Sequence, residues 1–318
     1  MGASAILVIH PGALGDVLQA VPALRALRRA GGHLTLAGQP RLATLLLGTG
    51  AAQAALGFDG LGLEALFTRE PLSPAVKERL ARFQRLVSWF GSRHDIYRER
   101  LSEISRECIV APPVPEAGAR LTVWRHLLDT LAPWGIGADA DTAPLEPPEP
   151  WRDAARRTLA VLGAQRGRPL LVVHPGAGGS WKRTPAALLA EAIRSASRER
   201  EVDVLIHQGP ADRQPADELA AAFGKPTLHL VEPELPLLAG VLSECAVFVG
   251  GDSGVSHLAA AVGAPAVIVF PSTTRAQWEP WNKSAMAIEA GDEAGWVDAV
   301  REALRSRLGA GPAPRDVA

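Results

Sequence analysis

The chain has 318 residues, of which 47% are apolar and 21% are charged, and its formal net charge is −1. One hydrophobic core rarely grows to this size, so we expect two domains of about 150 residues each. The near-zero charge argues against a nucleic-acid-binding protein with a broad basic surface. Apolar runs such as residues 264–270 are much shorter than the ~20 residues that span a bilayer, so no transmembrane segment is expected.

The first ten residues have neither a basic start nor a small-residue cleavage site, and they predict a strand rather than a signal peptide. We therefore expect a cytoplasmic protein. Cys108 and Cys245 lack the spacing of metal ligands, which predicts buried free thiols and no metal site.

In the first half, apolar runs predict strands at residues 6–10, 33–37 and 86–90, and helices after the first strand and at residues 121–134. Pro22 is awkward within the first helix, because proline leaves a carbonyl one turn earlier without its partner. Residues 69–106 contain nine Arg or Lys against five Asp or Glu. This basic surplus is either a solvated helix face with i,i+4 ion pairs or an anion site, and the first interpretation is favoured.

A proline-rich linker divides the chain. Residues 143–150 hold four prolines in eight positions, which neither a helix nor a central strand tolerates. We place an N-terminal domain at residues 1–143, the linker at 144–150 and a C-terminal domain at 151–308. The composition of residues 309–318 predicts a disordered tail.

The second half alternates strands and helices. Strands are predicted at residues 170–174, 202–207, 227–231, 247–250 and 266–270, and helices at residues 185–198, 215–223, 236–245 and 255–262. Such alternation is typical of a parallel sheet with crossover helices, so the predicted fold class is α/β, doubly wound. The sequence His-Pro-Gly-Ala follows the first strand of both halves, at His10 and His174, which supports twin domains.

Ligands in open α/β sheets bind beyond the carboxyl ends of the strands, so the turns that follow strands are the candidate sites. The strongest is Gly250-Gly-Asp252-Ser253-Gly254-Val-Ser-His257, a strand end followed by a helix start. The free backbone N–H groups and the helix dipole there suit a diphosphate. Asp-Ser-Gly is also an ordinary helix cap, and the histidine can be a core residue.

The second candidate is the turn from His174 to Arg183, which contains three glycines, among them Gly178. Lys182 and Arg183 stand where a cation can neutralise a departing diphosphate. A flexible surface turn with two solvated bases is the alternative. The spacing matches neither a dinucleotide fingerprint nor a P-loop.

Two acidic residues complete the candidates. Asp16 follows Gly12 and Gly15 at the corresponding place of the first half, and it is either a general base or a helix cap. Asp212, after the strand that ends near residue 207, stands where ribose hydroxyls are often bound, although one acid is a weak signal.

These segments resemble glycosyltransferase family 9, the ADP-heptose:lipopolysaccharide heptosyltransferases. The most specific part is Gly251-Asp-Ser-Gly-Val-Ser-His-Leu-Ala-Ala-Ala-Val-Gly-Ala-Pro265, which continues to Phe270-Pro-Ser-Thr-Thr-Arg-Ala-Gln-Trp278. The resemblance implies the GT-B fold, in which two Rossmann-like domains face a cleft.

The resemblance also implies roles. Asp16 would be the catalytic base, with Gly12 and Gly15 on the acceptor side. The donor, ADP-heptose, would be bound by Gly178, Lys182, Arg183, Asp212, Asp252, Ser253, Gly254 and His257. The reaction would invert the anomeric centre without a required cofactor or metal. The acceptor would be an anionic glycolipid of the lipopolysaccharide inner core, reached peripherally at the inner face of the cytoplasmic membrane.

Two other functions fit the same residues. A nucleotide-sugar epimerase of GT-B architecture would convert its donor without any acceptor. A non-catalytic nucleotide-sugar-binding protein would bind the donor and transfer nothing.

Overall fold

The computed structural model describes residues 4–198, 200–271, 275–290 and 293–309. These residues form two compact units, which divide between Thr142 and Ala143. Of the tail predicted at residues 309–318, only Gly309 is described, and it ends the last helix. The rest of that prediction lies outside the described residues.

The first unit is a parallel sheet with helices between its strands. Its strands are β1 (Ser4–Ile9), β2 (Gly32–Gly38), β3 (Ala54–Gly57), β4 (Arg85–Ser88) and β5 (Glu107–Val110), and its helices are α1 (Leu14–Gln19), α2 (Val21–Arg29), α3 (Pro40–Gly48), α4 (Pro74–Ala81), α5 (Asp95–Ile104) and α6 (Val123–Asp129). Short 3₁₀ turns cover Phe58–Leu61, Leu63–Phe67 and Ala132–Trp134. The strand order is β3-β2-β1-β4-β5, with every pair parallel.

The single helix predicted after the first strand is divided into two helices just before Pro22. α1 ends before Ala20, and α2 starts at Val21 with Pro22 in its first turn. A first-turn proline needs no hydrogen-bond partner for its nitrogen, so its cost disappears.

The second unit has six parallel strands. They are β6 (Leu170–His174), β7 (Asp203–Gln208), β8 (Leu228–Val231), β9 (Val247–Gly251), β10 (Ala266–Pro271) and β11 (Ala285–Ala290), in the order β11-β10-β9-β6-β7-β8. The helices are α7 (Glu149–Val161), α8 (Ala186–Ala196), α9 (Arg213–Phe223), α10 (Leu235–Glu244), α11 (Gly254–Ala261), α12 (Arg275–Trp278) and α13 (Glu293–Gly309). The predicted α/β class with two doubly wound sheets is confirmed.

Part of the proline-rich segment is ordered against the second unit. The backbone N–H of Leu145 donates to the carbonyl of Ala261 at 2.7 Å, and the Leu145 side chain is buried. α7 begins at Glu149 with Pro150 in its first turn, so the last two residues of the predicted linker belong to a helix. Proline is tolerated there because its fixed φ suits the start of a helix.

Both sheets carry apolar residues on their inner faces. In the second unit, Val173 and Val249 pack with Ile193 of α8 and Leu304 of α13. Strands of a parallel sheet are covered on both faces, which explains why β6 and β9 are buried along their whole length.

Each sheet has one position where the chain reverses its direction of winding. In the first unit this switch point lies between β1 and β4, and in the second between β6 and β9. The helices that follow the two strands at such a point lie on opposite faces, which opens a crevice at the carboxyl edge. These two crevices hold the candidate residues.

Candidate functional site

The switch point of the second unit brings two sequence-distant turns together. His174, the last residue of β6, pairs with Gly250 of β9. A side chain cannot replace Gly251, because a Cβ there would lie 2.9 Å from the carbonyl oxygen of Lys182. Close backbone approach thus sets the spacing of the two turns.

Lys182 and Asp252 form an ion pair across this switch point. Their Nζ and Oδ2 atoms are 2.8 Å apart, and His257 Nε2 lies 3.7 Å from the other carboxylate oxygen. The Asp252 side chain is 5% exposed, whereas that of Lys182 is 22% exposed. The ammonium group of Lys182 therefore contacts Asp252, while part of the lysine side chain reaches solvent.

The pKa of Asp252 is set by opposing effects. Burial raises it, but hydrogen bonds and charge from His257 and Lys182 outweigh burial, and the net pKa is lowered. Asp252 is consequently ionised at neutral pH. The ring of His257 is buried, 6.4 Å from Phe270 and 6.2 Å from Trp278 between centroids, so the histidine is held by aromatic packing as well.

Ser253 caps the helix that starts at this turn. Its Oγ accepts a hydrogen bond from the N–H of Ser256 at 3.2 Å and lies 3.0 Å from Ser256 Oγ. Ser256 Oγ in turn donates to the carbonyl of Gly251 at 2.5 Å. α11 begins at Gly254, so the cap and the positive end of the helix dipole lie beside Asp252. The cap interpretation and the anion-site interpretation are therefore compatible.

Asp212 lies in a second group, with two buried histidines. Its Oδ2 accepts the N–H of Gly209 at 3.2 Å and is 3.9 Å from His174 Nε2, and the Nδ1 atoms of His174 and His207 are 3.0 Å apart. Burial lowers the pKa of His174, and it lowers the pKa of His207 to about 3, with His174 adding to that shift. Both imidazoles are neutral at pH 7.

The glycines of this turn differ in what they permit. A Cβ at Gly176 would lie 2.1 Å from Asp212 Oδ1, so the carboxylate occupies the space that only glycine leaves. A Cβ at Gly178 would meet no heavy atom within 4 Å. Close approach is thus required at Gly176 and not at Gly178, which the sequence did not distinguish.

Arg183 points to a smaller cavity of about 220 Å³ that Trp181 and Lys182 also line. Arg183 is exposed, and Trp181 is 64% exposed with its ring centroid 5.2 Å from Lys182 Nζ. The structure therefore brings Lys182, Asp252 and His257 together. It leaves Arg183 and Asp212 in neighbouring groups.

In the first unit, Asp16 lines a cavity of about 480 Å³ at the end of β1. Its Oδ2 accepts the N–H of Ala13 at 2.8 Å, so it caps α1. Gly12 is required here, since a Cβ would lie 2.7 Å from that of Asp16. Gly15, in the first turn of α1, does not line the cavity.

His10 contributes a buried donor to the same cavity. The N–H of Gly12 donates to His10 Nδ1 at 3.4 Å, which assigns the proton of the neutral ring to Nε2. That buried Nε2 has no hydrogen bond to any described residue. Burial lowers the pKa of His10 to about 4, although the charge and a backbone group of Asp16 oppose the shift. A buried donor of this kind is unusual, because most buried polar groups have a protein or water partner.

The other cavity walls were missed by sequence reasoning. They come from the turn after β4, with Trp89, Phe90 and Arg93, and from Phe67 and residues 112–114. The signal was available, since residues after β4 stand at the carboxyl end of the strand beside β1.

Most arginines of the basic segment are engaged within the first unit. Arg85, Arg98 and Arg69 pair with Glu107, Asp95 and Glu99, Arg100 pairs with Glu103, and Arg79 donates to the carbonyl of Gly60. Of the nine bases, only Arg93 lines the cavity that contains Asp16. Five of the eight arginines in this segment thus have partners within the unit.

Within the described ranges, no group of three or more His, Cys, Asp or Glu is arranged to hold a metal ion. None of the helices in those ranges is long and apolar enough to cross a membrane. Cys245 is buried and Cys108 is half-buried, and neither forms a disulfide.

Two doubly wound units, each with polar residues at its switch point, are the domain type of the GT-B fold, which nucleotide-sugar glycosyltransferases share with other enzymes. The sequence model of the family described as glycosyltransferase family 9 (heptosyltransferase) matches residues 115–302, which are more than half of the chain. The chain belongs to this family.

Named relatives agree with the family. Lipopolysaccharide heptosyltransferase 3 of Escherichia coli is 28% identical over 170 residues, which are 52% of this chain and 49% of that protein. The chain thus matches about half of that relative's length.

Solved structures show the same fold. The glycosyl transferase family 9 structure from Veillonella parvula has a TM-score of 0.78 at 16% identity and covers 98% of each chain. E. coli heptosyltransferase WaaC with ADP-2-deoxy-2-fluoro heptose has a TM-score of 0.63 at 17% identity and covers 95% of this chain and 99% of its own.

Proposed function

We propose that this protein is a heptosyltransferase that moves a heptose from ADP-heptose to an inner-core-type acceptor of lipopolysaccharide. The observation that carries the proposal is the Lys182–Asp252 ion pair at the start of α11, which lies within the residues that match the family. The name of the E. coli relative and the ADP-sugar of the structural neighbour support the donor.

On this proposal the second unit binds the donor. Lys182 and the start of α11, with Ser253 and Gly254, stabilise the negative charge that develops on the departing diphosphate. Asp252 and His257 orient Lys182 and bind the donor sugar. Gly178, Arg183 and Asp212 complete the donor site, with Asp212 at the ribose. No cofactor or metal is assigned a step.

The first unit binds the acceptor, and Asp16 acts as general base. The acceptor hydroxyl gives its proton to the Asp16 carboxylate, and its oxygen forms a bond to the anomeric carbon from the face opposite the diphosphate. The bond from that carbon to the phosphate oxygen breaks, and ADP leaves with the electron pair. One displacement inverts the anomeric centre.

The acceptor is proposed to be an anionic glycolipid, met peripherally at the inner face of the cytoplasmic membrane. Arg93 supplies a cation in the cavity of Asp16, with Gly12 forming part of its wall.

The test is release of ADP from ADP-heptose by the purified protein, with and without inner-core oligosaccharide, followed by mass spectrometry of the products. Acceptor-dependent ADP release with a heptosylated product supports the proposal. Conversion of ADP-heptose without acceptor indicates an epimerase, and binding without either reaction indicates a non-catalytic protein.

Asp16→Asn tests the base. Asparagine retains an oxygen that accepts the N–H of Ala13, so α1 keeps its cap while the base is lost. We expect turnover to fall about 10²- to 10⁴-fold with ADP binding unchanged. Asp129→Asn, in an exposed ion pair with Arg125, is the control. Wild-type turnover of Asp16→Asn would remove this residue from the mechanism.

A further inference from the structure

A second cavity of about 530 Å³ adjoins the one that contains Asp16. The two share Phe67 and Phe90 in their walls, and the second is completed by Phe58, Asp59, Leu63 and Glu64. Both volumes fall in the range of about 300–1,000 Å³ that is usual for small-molecule sites. The two cavities therefore lie on either side of the same two rings.

The shared wall is an aromatic cluster. The ring centroids of Phe58 and Phe90 are 5.0 Å apart, and those of Phe67 and Phe90 are 5.7 Å apart, both edge to face. All three rings are half-buried, so each keeps an accessible part. Edge-to-face packing fixes the ring orientations. A rigid, partly accessible aromatic wall suits the C–H face of a sugar ring.

The charges of the two cavities differ. The first has Asp16 and Arg93, one of each sign, whereas the second has only the carboxylates of Asp59 and Glu64. Both carboxylates are exposed, and neither forms a hydrogen bond or ion pair with another described residue. The nearby Arg79 is directed to the carbonyl of Gly60 instead.

Carboxylates without cationic partners accept hydrogen bonds from hydroxyl groups and repel anions. The second cavity is thus complementary to a hydroxyl-rich, uncharged ring, and its carboxylates repel a phosphate or a carboxylate. Arg93 confines favourable contacts with an anionic group to the first cavity.

We propose that the second cavity binds an uncharged sugar that is linked to the reacting sugar of the acceptor, with Phe58 and Glu64 as specificity-determining residues. This inference rests on the proposed function, because it assigns the reacting sugar to the cavity of Asp16. The acceptor is then at least a disaccharide, and its negative charge lies on or next to the reacting ring.

Three acceptor probes test the inference with the full-length protein and ADP-heptose. They are methyl heptoside phosphate, the disaccharide of the same heptose phosphate with methyl glucoside, and the corresponding disaccharide with methyl glucuronide. We expect KM for the glucose disaccharide to be about 10-fold lower than for the one-ring probe, which corresponds to about 1.4 kcal/mol of added binding. The glucuronide should lose this advantage.

Variants assign the effect to the second cavity. Phe58→Leu and Glu64→Gln should each bring the ratio of the two KM values, one-ring over glucose disaccharide, close to one. Phe83→Leu is the matched control for the first, because Phe83 packs on the same core and lines neither cavity. Exposed Glu78→Gln is the control for the second, and both controls should keep the wild-type ratio.

Equal KM values for the one-ring and glucose probes in the wild-type protein would overturn the inference, as would a preference for the glucuronide. In those cases turnover of the one-ring probe would leave the proposed function intact. Failure of all three probes to react, or to bind the ADP-loaded protein by ligand-observed NMR, would remove the proposed acceptor and this inference together.

Discussion

Replacement of Lys182 by methionine removes the cation that neutralises Asp252. The two charges are 2.8 Å apart, and the carboxylate is 5% exposed. Breaking a buried ion pair by deleting one partner costs about 3–5 kcal/mol, since the remaining charge is left without compensation. Lys182 is 22% exposed and His257 stays close to the carboxylate, so we expect a smaller loss of about 2–3 kcal/mol in the free energy of unfolding.

The pH dependence of unfolding gives the sign of this effect. Because the pKa of Asp252 is lowered in the folded protein, its contribution to stability is present above the unfolded value of about 3.9 and is lost as pH falls through the folded pKa. Lys182→Met should reduce that contribution. The difference in stability between wild type and variant should therefore be largest near neutral pH and shrink in acid.

Urea unfolding at pH 7 measures the loss, and a double-mutant cycle with Asp252→Asn isolates the pair. The double variant should be more stable than the sum of the two single effects predicts. Lys225→Met, at an exposed lysine, is the control and should change stability by less than about 0.5 kcal/mol. Strict additivity in the cycle, or a Lys182→Met effect no larger than the control, would refute the coupling.

Three other predictions use the same protein. The pKa of His10 is lowered to about 4, so between pH 6.5 and 4 the unfolded chain takes up a proton that the folded chain does not. The free energy of unfolding should therefore fall as the pH is lowered through this range, and His10→Gln should reduce that fall by up to about 3 kcal/mol. Urea unfolding at several pH values measures the fall, and an equal fall in the variant would contradict the prediction. Gly176→Ala should displace the Asp212 carboxylate and weaken ADP binding at least about 10-fold by calorimetry. Gly57→Ala, at a glycine of the first unit where a Cβ meets no heavy atom within 4 Å, should not, and equal affinities of the two variants would refute the assignment. Trp181 is 64% exposed beside Lys182, so ADP should change tryptophan fluorescence, and a persistent change in Trp181→Phe would place the reporter elsewhere.

The strands that the sequence predicted share a property. β1, β6 and β9 are rich in Val, Ile or Leu and are buried on both faces, so their composition is decisive. β3 (Ala-Ala-Leu-Gly), β5 and β11 were missed. β3 and β11 are rich in alanine, which has little intrinsic strand preference, so pairing with a neighbour determines their conformation. β5 (Glu-Cys-Ile-Val) has only four residues, and its apolar run is too short to stand out.

The candidate site divides in the same way. Asp16, Lys182 and Asp252 were found because each lies in the turn or helix start that follows a strand, which is a local signal. The ion pair itself joins residues 70 positions apart and depends on β6 lying beside β9. The other walls of the cavity that contains Asp16 come from three separate segments, around Phe67, Phe90 and residues 112–114. No local sequence pattern connects these segments.

The two His-Pro-Gly-Ala turns share one local arrangement. In each, a histidine at a strand end is buried and neutral, and a glycine leaves space that a carboxylate fills, Asp16 at Gly12 and Asp212 at Gly176. What differs is the acid and the loop that supplies it. For protein engineering, the loops after the turns can therefore be exchanged while the histidine and glycine of each turn are retained.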